Sequence, residues 1–266
     1  MSNHFNLNIN NNPSFTGHCY TGGICETNGY AIETSEGWIL IDAPEADPIF
    51  DYLKRNSLNL DYILLTHHHA DHIDGVEKLR KEYNLKVVGA KRDKKRLPDL
   101  DIEVEDGQTV DIGEMEFYII DVDGHTVGHI AFICVAENIG FTGDSLMVMG
   151  CGRLFEDTPE KMFESLQKFN QFSKDMKIYS GHEYTKSNIE FALSIDKNNL
   201  KLKDRHKRVI ETLSKNEPTV PSTLREEYDT NPFLRQDDPS IVKTLKMESL
   251  TSGERFAKIR SLKDNF

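Results

Sequence analysis

The sequence predicts a mixed α/β domain followed by a smaller helical one. Three observations carry that reading. Short β-rich runs fill the first two thirds of the chain, helical patterns intervene between several of them, and no convincing strand follows His182. The 266 residues are enough for one large domain or for a main domain plus a smaller appendage, and 38% apolar against 29% charged residues supports a real core.

Strands are expected at Ala31–Thr34, Trp38–Ile41, Tyr62–Thr66, Lys86–Gly89, Phe117–Val122, Ile130–Val135 and Ile178–Tyr179. Turn pairs punctuate them: Glu36-Gly37, Asp106-Gly107, Ile112-Gly113 and Glu137-Asn138. Helical patterns cover Asp47–Lys54, Gly75–Tyr83 and Pro159–Phe172, the last opened by Thr158 as N-cap with proline at the first helical position. From Thr185 to Lys215 the apolar residues Ile189, Ala192, Leu193, Leu200, Val209 and Leu213 recur among charges in a helical manner, and helices are expected again over Ile241–Leu250 and Ser252–Ile259. The organisation expected is a disordered polar tail over residues 1–13, a main domain over 14–185 and an α-helical domain over 186–266.

The net charge of −12 argues against a nucleic-acid partner, which would need a basic face. The longest apolar runs, Tyr62–Leu65 and Ile130–Ala136, fall well short of the ~20 residues of a membrane-spanning helix. Met1–Pro13 is polar and asparagine-rich, with neither the basic start nor the apolar stretch of a signal peptide, so a cytoplasmic protein is expected. Cys19, Cys25, Cys134 and Cys151, irregularly spaced, then read as free thiols rather than bridges.

The chemistry is concentrated in Thr66-His67-His68-His69-Ala70-Asp71-His72, directly after the apolar run Tyr62–Leu65. A buried strand can present such residues from the tight loop at its end. Imidazole and carboxylate are ligand types for zinc, iron or manganese. The theme recurs at Gly124-His125-Thr126-Val127-Gly128-His129, at Phe141-Thr142-Gly143-Asp144 and at Ser180-Gly181-His182, each just beyond an apolar strand and beside a glycine. His68 alternates away from its neighbours and reads as structural, and the glycine pattern favours His125 over His129 as a ligand. Asp42, at the end of Trp38–Ile41, is either a support for the site or a plain turn residue.

The set His-x-His-x-Asp-His, then a histidine, an aspartate and a histidine, resembles the metallo-β-lactamase superfamily. That resemblance implies a four-layer αββα sandwich holding two divalent metal ions, zinc first, with iron or manganese as alternatives. It implies that His67, His69 and His125 hold one ion, that Asp71, His72 and His182 hold the other, and that Asp144 bridges them. Asp71 and Asp144 are then the candidates to orient the attacking hydroxide, and hydrolysis is the default chemistry.

Further stretches resemble the glyoxalase II, or hydroxyacylglutathione hydrolase, family: Gly150-Cys151-Gly152-Arg153, Gly181-His182-Glu183-Tyr184-Thr185, Glu217–Leu224, Asn231-Pro232-Phe233-Leu234-Arg235 and Arg260–Phe266. The resemblance implies a catalytic domain up to residue 185, a substrate-binding domain from 186, and a glutathione thioester as partner of a monomeric enzyme. The glutathione-binding positions fall on Arg153, Tyr184, Arg260 and Lys263. An acidic protein needs such a local cationic pocket to accept two carboxylates. Arg260 and Lys263, three apart, share a face if helical. Two departures stand out: Phe155 where the family has a tyrosine, and the divergent Tyr20-Thr21-Gly22-Gly23 and Asp42-Ala43-Pro44-Glu45. The implied reaction is S-D-lactoylglutathione plus water giving D-lactate and glutathione. Alternatives are an iron-dependent persulfide dioxygenase, or another hydrolase of this fold acting on a non-glutathione ester or thioester.

Overall fold

Apolar runs bounded by turn residues become strands in the computed structural model, which describes residues 5–8, 17–22, 27–34 and 37–266, the first two stretches by their backbone. Of the tail expected over residues 1–13, Phe5–Asn8 alone falls among them. Gly23, Cys25, Glu36 and the side chains of Cys19, Tyr20 and Thr21 lie outside the described residues. The chain forms two compact units, Met1–Asp121 with Gly128–Gly143, and Val122–Val127 with Asp144–Phe266.

In the first unit, seven strands form one sheet in chain order: β1 (Phe5–Asn8), β2 (Gly17–Gly22), β3 (Thr27–Thr34), β4 (Gly37–Ile41), β5 (Leu60–Leu64), β6 (Lys86–Ala90) and β7 (Ile102–Val104). β1 to β4 run antiparallel and β4 to β7 parallel. Parallel neighbours need a crossover. α1 (Ala46–Asn56) supplies it between β4 and β5, and α2 (Ala70–Ile73) with α3 (Val76–Glu82) between β5 and β6. The two-residue period of a strand splits β4 between two layers. Trp38 and Leu40 join Ile49, Phe50 and Leu53 of α1 and Val76 and Leu79 of α3 in one apolar cluster. Ile39 faces the other way, towards Gly113 at the first turn of a second sheet.

The second sheet contributes β8 (Thr109–Ile112), β9 (Met115–Asp121), β10 (Ile130–Cys134) and β11 (Ile139–Gly143) to this unit as an antiparallel meander. Gly113 (φ 55°) and Glu114 (φ 65°) close the β8–β9 hairpin with two positive φ angles, the type I′ pattern that matches strand twist. Every residue of β10 and β11 is buried. Tyr30 of β3 and Phe141 of β11 meet between the sheets with ring centroids 5.6 Å apart. Helix, sheet and sheet thus stack as three layers inside this unit. β7 and β8 were not legible as strands, being short and half polar.

In the second unit, β12 (Leu146–Met147) and β13 (Gly150–Cys151) form a short hairpin. α4 (Pro159–Gln167) begins as expected, Thr158 Oγ1 accepting the Lys161 N–H at 3.2 Å, but it tightens into a 3₁₀ turn over Lys168–Gln171 instead of running to Phe172. β14 (Lys177–Ser180) pairs with β15 (Ser222–Thr223), a two-residue strand in a region expected to be wholly helical. The long helical run divides into α5 (Thr185–Ile195) and α6 (Leu200–Ser214), because Asn199 caps the second by accepting the Leu202 N–H at 3.1 Å. α7 (Leu224–Thr230), α8 (Pro239–Leu245) and α9 (Ser252–Asp264) follow; α8 stops at Lys246, left-handed at φ 53°, while α9 runs past Ile259.

Phe233 stands at the centre of this helical core, 6.3 Å from Phe191 and 5.6 Å from Phe256 by ring centroids. Beside it lies a fully satisfied polar network. Buried Glu227 accepts hydrogen bonds from Arg205 (2.5 Å), the Met149 N–H (2.9 Å) and Asn231 (2.9 Å), and Asn231 also reaches the Gly150 carbonyl at 2.9 Å. A buried carboxylate held by three donors on two oxygens favours one arrangement of its partners. Here it fixes the β12–β13 hairpin to α6 and α7, which explains why the Asn231-Pro232-Phe233 stretch is so particular.

Candidate metal centre

In the first unit the candidate donors leave the C-terminal end of β5, where the chain departs from the sheet and enters α2. Nδ1 of buried His67 lies 3.1 Å from Thr66 Oγ1, so its Nε2 faces His69 Nδ1 at 3.2 Å. Asp42 anchors this turn. Its Oδ1 accepts the Thr66 N–H at 2.9 Å, and its Oδ2 accepts both the Thr66 hydroxyl (2.8 Å) and the His72 Nδ1–H (2.7 Å). His72 is thereby fixed in the tautomer that offers Nε2, 3.8 Å from Asp71 Oδ2. Asp71 Oδ2 also accepts the Thr27 hydroxyl at 2.9 Å. Asp42 adopts a left-handed φ of 55° and acts as a support, the first of the two readings given above.

His68 sets its ring edgewise to His69 at 5.2 Å, with its Nδ1 2.9 Å from Asp93 Oδ2. His129 is buried under His67, the rings stacked at 4.6 Å and 12°, and its Nδ1–H donates to the Ile130 carbonyl at 3.1 Å. Both are packing partners of the donor turn.

In the second unit the donors are further apart in sequence. His125 lies in the loop after β9, Asp144 directly follows β11, and His182 follows β14; all three are buried. The His125 Nδ1–H donates to the Arg153 carbonyl at 2.7 Å, which turns Nε2 towards Asp144 Oδ2, 3.3 Å away. His182 Nε2 lies 3.1 Å from the same oxygen. The tripeptide Cys151-Gly152-Arg153 supports these side chains. The Gly152 N–H donates to the Ser145 carbonyl at 3.1 Å. A Cβ on Gly152 would stand 2.0 Å from the Asp144 carbonyl oxygen and 2.9 Å from His125 Nδ1, so no larger residue fits. Sequence reasoning missed this support because the groups that act are a carbonyl and the absence of a side chain.

Donor spacing tests whether these residues suit a metal. Bonds of about 2.0–2.1 Å in a tetrahedron put neighbouring donor atoms roughly 3.3 Å apart. The observed separations of 3.2 Å (His67–His69), 3.3 Å (His125–Asp144) and 3.1 Å (His182–Asp144) match that edge. His67 and His72, and Asp71 and His72, also offer ligand atoms within 4.8 Å of each other. Imidazoles and carboxylates in this arrangement fit divalent ions, with zinc, iron and manganese all compatible.

The four expected recognition residues all lie in the second unit. Tyr184 stacks on His182 with centroids 4.6 Å apart and planes within 3°. Arg153 projects outward, its Nε 3.7 Å from Asp264 Oδ1. Lys263 Nζ donates to the Ser187 carbonyl (3.0 Å) and hydroxyl (2.7 Å) beside the Phe191 and Phe266 rings. Burial, aided by the Arg260 and Arg153 charges, brings the Lys263 pKa down to about 8. Arg260 shares α9 with Lys263 but is only 5% exposed, its guanidinium over the Phe233 ring. Phe155 is exposed and sets its ring edgewise to His125 at 5.2 Å.

Residues 22–182 match the model of the metallo-beta-lactamase superfamily, and residues 183–266 that of the hydroxyacylglutathione hydrolase C-terminus. Among solved structures, the B3 metallo-beta-lactamase BLEG-1 superposes with a TM-score of 0.64 at 20% identity over 82% of this chain and 99% of its own. ETHE1 from Myxococcus xanthus gives 0.65 at 23% over 93% and 89%. The protein therefore has the metallo-β-lactamase fold, extended by a C-terminal helical region. Two relatives narrow the class. The hydroxyacylglutathione hydrolase of Ruegeria pomeroyi is 48% identical over 227 residues, 85% of this chain and 89% of that protein, and that of Roseobacter denitrificans is 44% identical over 246 residues, 91% and 96%. The chain belongs to the hydroxyacylglutathione hydrolase family.

Proposed function

We propose that this enzyme hydrolyses S-D-lactoylglutathione to D-lactate and glutathione, a step of methylglyoxal detoxification. The observation that carries the reading is the family match over both parts of the chain, the C-terminal helical region included. The catalytic part is taken to end near residue 185, and the helical part from 186 to supply substrate contacts.

The donors of the two units are assigned to one pair of divalent ions: His67, His69 and His125 for the first, Asp71, His72 and His182 for the second, with Asp144 shared. Zinc is the first choice of metal. Such ions, when bound, polarise the thioester carbonyl and bring the pKa of a coordinated water from about 15.7 towards neutrality. The chain's own residues do the rest. Asp71 and Asp144 accept hydrogen bonds from the attacking water and aim it at the carbonyl carbon. His72 and His125 keep Nε2 forward because Asp42 and the Arg153 carbonyl hold their Nδ1–H groups. As the carbon–sulfur bond breaks, the proton lost by water goes to the departing sulfur.

Arg153, Tyr184, Lys263 and Arg260 form the glutathione-recognition group, with Arg153 and Lys263 facing its carboxylates. The site works in a monomer, and in the cytoplasm, a compartment compatible with the free, buried thiols of Cys134 and Cys151. No helix among the described residues is long and apolar enough to cross a membrane.

The test is a thiol-release assay on purified protein of known metal content with S-D-lactoylglutathione. Turnover that follows metal content is expected. A fully metallated sample that leaves the thioester intact overturns the reading.

A further inference from the structure

Arg260 is a basic residue at the end of α9, where a solvated arm reaching for a carboxylate would be unremarkable. Its surroundings describe something else. It is 5% exposed, and its guanidinium lies 4.9 Å from the centre of the Phe233 ring. Nη1 donates to the Cys151 carbonyl at 2.9 Å, and Nη2 to Asp264 Oδ1 at 2.8 Å. Nε finds no hydrogen-bond partner among the described residues. The same Asp264 oxygen lies 3.7 Å from Arg153 Nε. Arg260 thus holds the tripeptide 151–153 by its first carbonyl, Asp264 anchors the guanidinium, and the exposed Arg153 side chain approaches that anchor only at 3.7 Å.

That tripeptide is the piece of backbone that supports two donors. Its Arg153 carbonyl fixes the His125 tautomer, its Gly152 N–H binds the Ser145 carbonyl, and its Gly152 Cα is packed under Asp144. A shift of a few tenths of an ångström at Cys151 would be transmitted to His125 and Asp144, because Gly152 leaves no slack between them. Arg260 itself is committed: one terminal nitrogen to a carbonyl, the other to a carboxylate, its flat face to an aromatic ring.

We infer that Arg260, besides its place in the recognition group, is a positioning residue for the metal donors His125 and Asp144, acting through the Cys151-Gly152-Arg153 backbone. The inference rests on the metal assignment proposed above. It predicts that the C-terminal helix governs metal retention as well as substrate affinity.

Three variants separate the roles. Arg260→Lys keeps a charge but cannot span Cys151 and Asp264 at once. Arg153→Ala removes an exposed side chain and leaves the carbonyl that binds His125. Asp264→Asn removes the charge that anchors Arg260 Nη2 while leaving Arg260 in place, and carries the test, with the same faster metal release expected, should Arg260→Lys not fold. Metal release into a chelator is timed, KM and kcat are measured on reloaded samples, and the nitrogen-15 shift of His125 Nδ1 is recorded in metal-free protein.

Arg260→Lys is expected to release metal about tenfold faster or more, the scale for groups that orient a ligand, with kcat lowered as well as any change in KM. The His125 shift moves with it. Arg153→Ala raises KM and leaves metal release and the shift at wild-type values. An Arg260→Lys protein that holds metal as wild type does and shows a raised KM alone overturns the inference. Wild-type protein that binds no divalent metal overturns the underlying assignment instead, so the two failures are distinguishable.

Discussion

The two units hold their donors in contrasting ways. In the first, His67, His69, Asp71 and His72 crowd into one turn after β5, and a single side chain, Asp42, braces that turn by binding Thr66 and His72. In the second, His125, Asp144 and His182 come from three separate strand ends, and backbone braces two of them: the Arg153 carbonyl on His125, and Gly152 beneath Asp144. One brace can be removed by mutating a carboxylate. The other has no side chain to remove, so it must be attacked through its neighbours.

The largest effect is expected at Asp144, proposed above as the shared donor. Asp144→Ala leaves His125 Nε2 and His182 Nε2 without the carboxylate 3.3 and 3.1 Å away, and kcat should drop by at least about 10²–10³-fold, as when one preorganised charge-stabilising group is lost. Unchanged turnover would remove Asp144 from the site. Next comes Asp42→Ala, which frees the His72 ring. A loss of about 10–100-fold in metal affinity is expected, read by competition with a chelator. A wild-type affinity there, beside a lowered one for Arg260→Lys, would mean that the backbone brace matters and the carboxylate brace does not.

Gly152→Ala drives a methyl towards the Asp144 carbonyl and His125 at 2.0 and 2.9 Å, so the melting temperature should fall as overpacking by about 1–3 kcal/mol requires. A melting curve like that of wild type would show the tripeptide to be free to move. The smallest effect is a pH dependence. Lys263 carries its proton below about pH 8 and loses it above, so its pairing with a substrate carboxylate weakens as pH rises. KM should climb several-fold across that value in wild type and stay level in Lys263→Met; parallel profiles would take Lys263 out of recognition.

The contrast also explains what was legible in the sequence. Five histidine or aspartate residues between positions 67 and 72 stand out against any background, and the strand before them was an unbroken apolar run. His125, Asp144 and His182 were legible because each repeats one pattern, apolar strand, then glycine, then donor. The braces were harder. Asp42 resembled an ordinary strand-end residue until its two oxygens were seen to serve three groups, and a carbonyl leaves no trace in a sequence at all. Arg260 looked like a charged helix end because nothing local announces that Phe233, Cys151 and Asp264 close around it. β15 hides among the prolines of Glu217–Leu224. The Thr223-x-x-Glu226 capping box that opens α7 was in plain view, and the short apolar content of the helix behind it was too slight to draw attention.

Trp38, the single tryptophan of the sequence, sits 6% exposed on β4 among the apolar side chains of α1 and α3, so its emission reports on the first unit alone. Most of the helix among the described residues belongs to the second unit. Far-ultraviolet dichroism and tryptophan fluorescence therefore follow different halves of the protein. Recorded together through a denaturant titration, their midpoints tell whether the two halves come apart in one cooperative event or in succession.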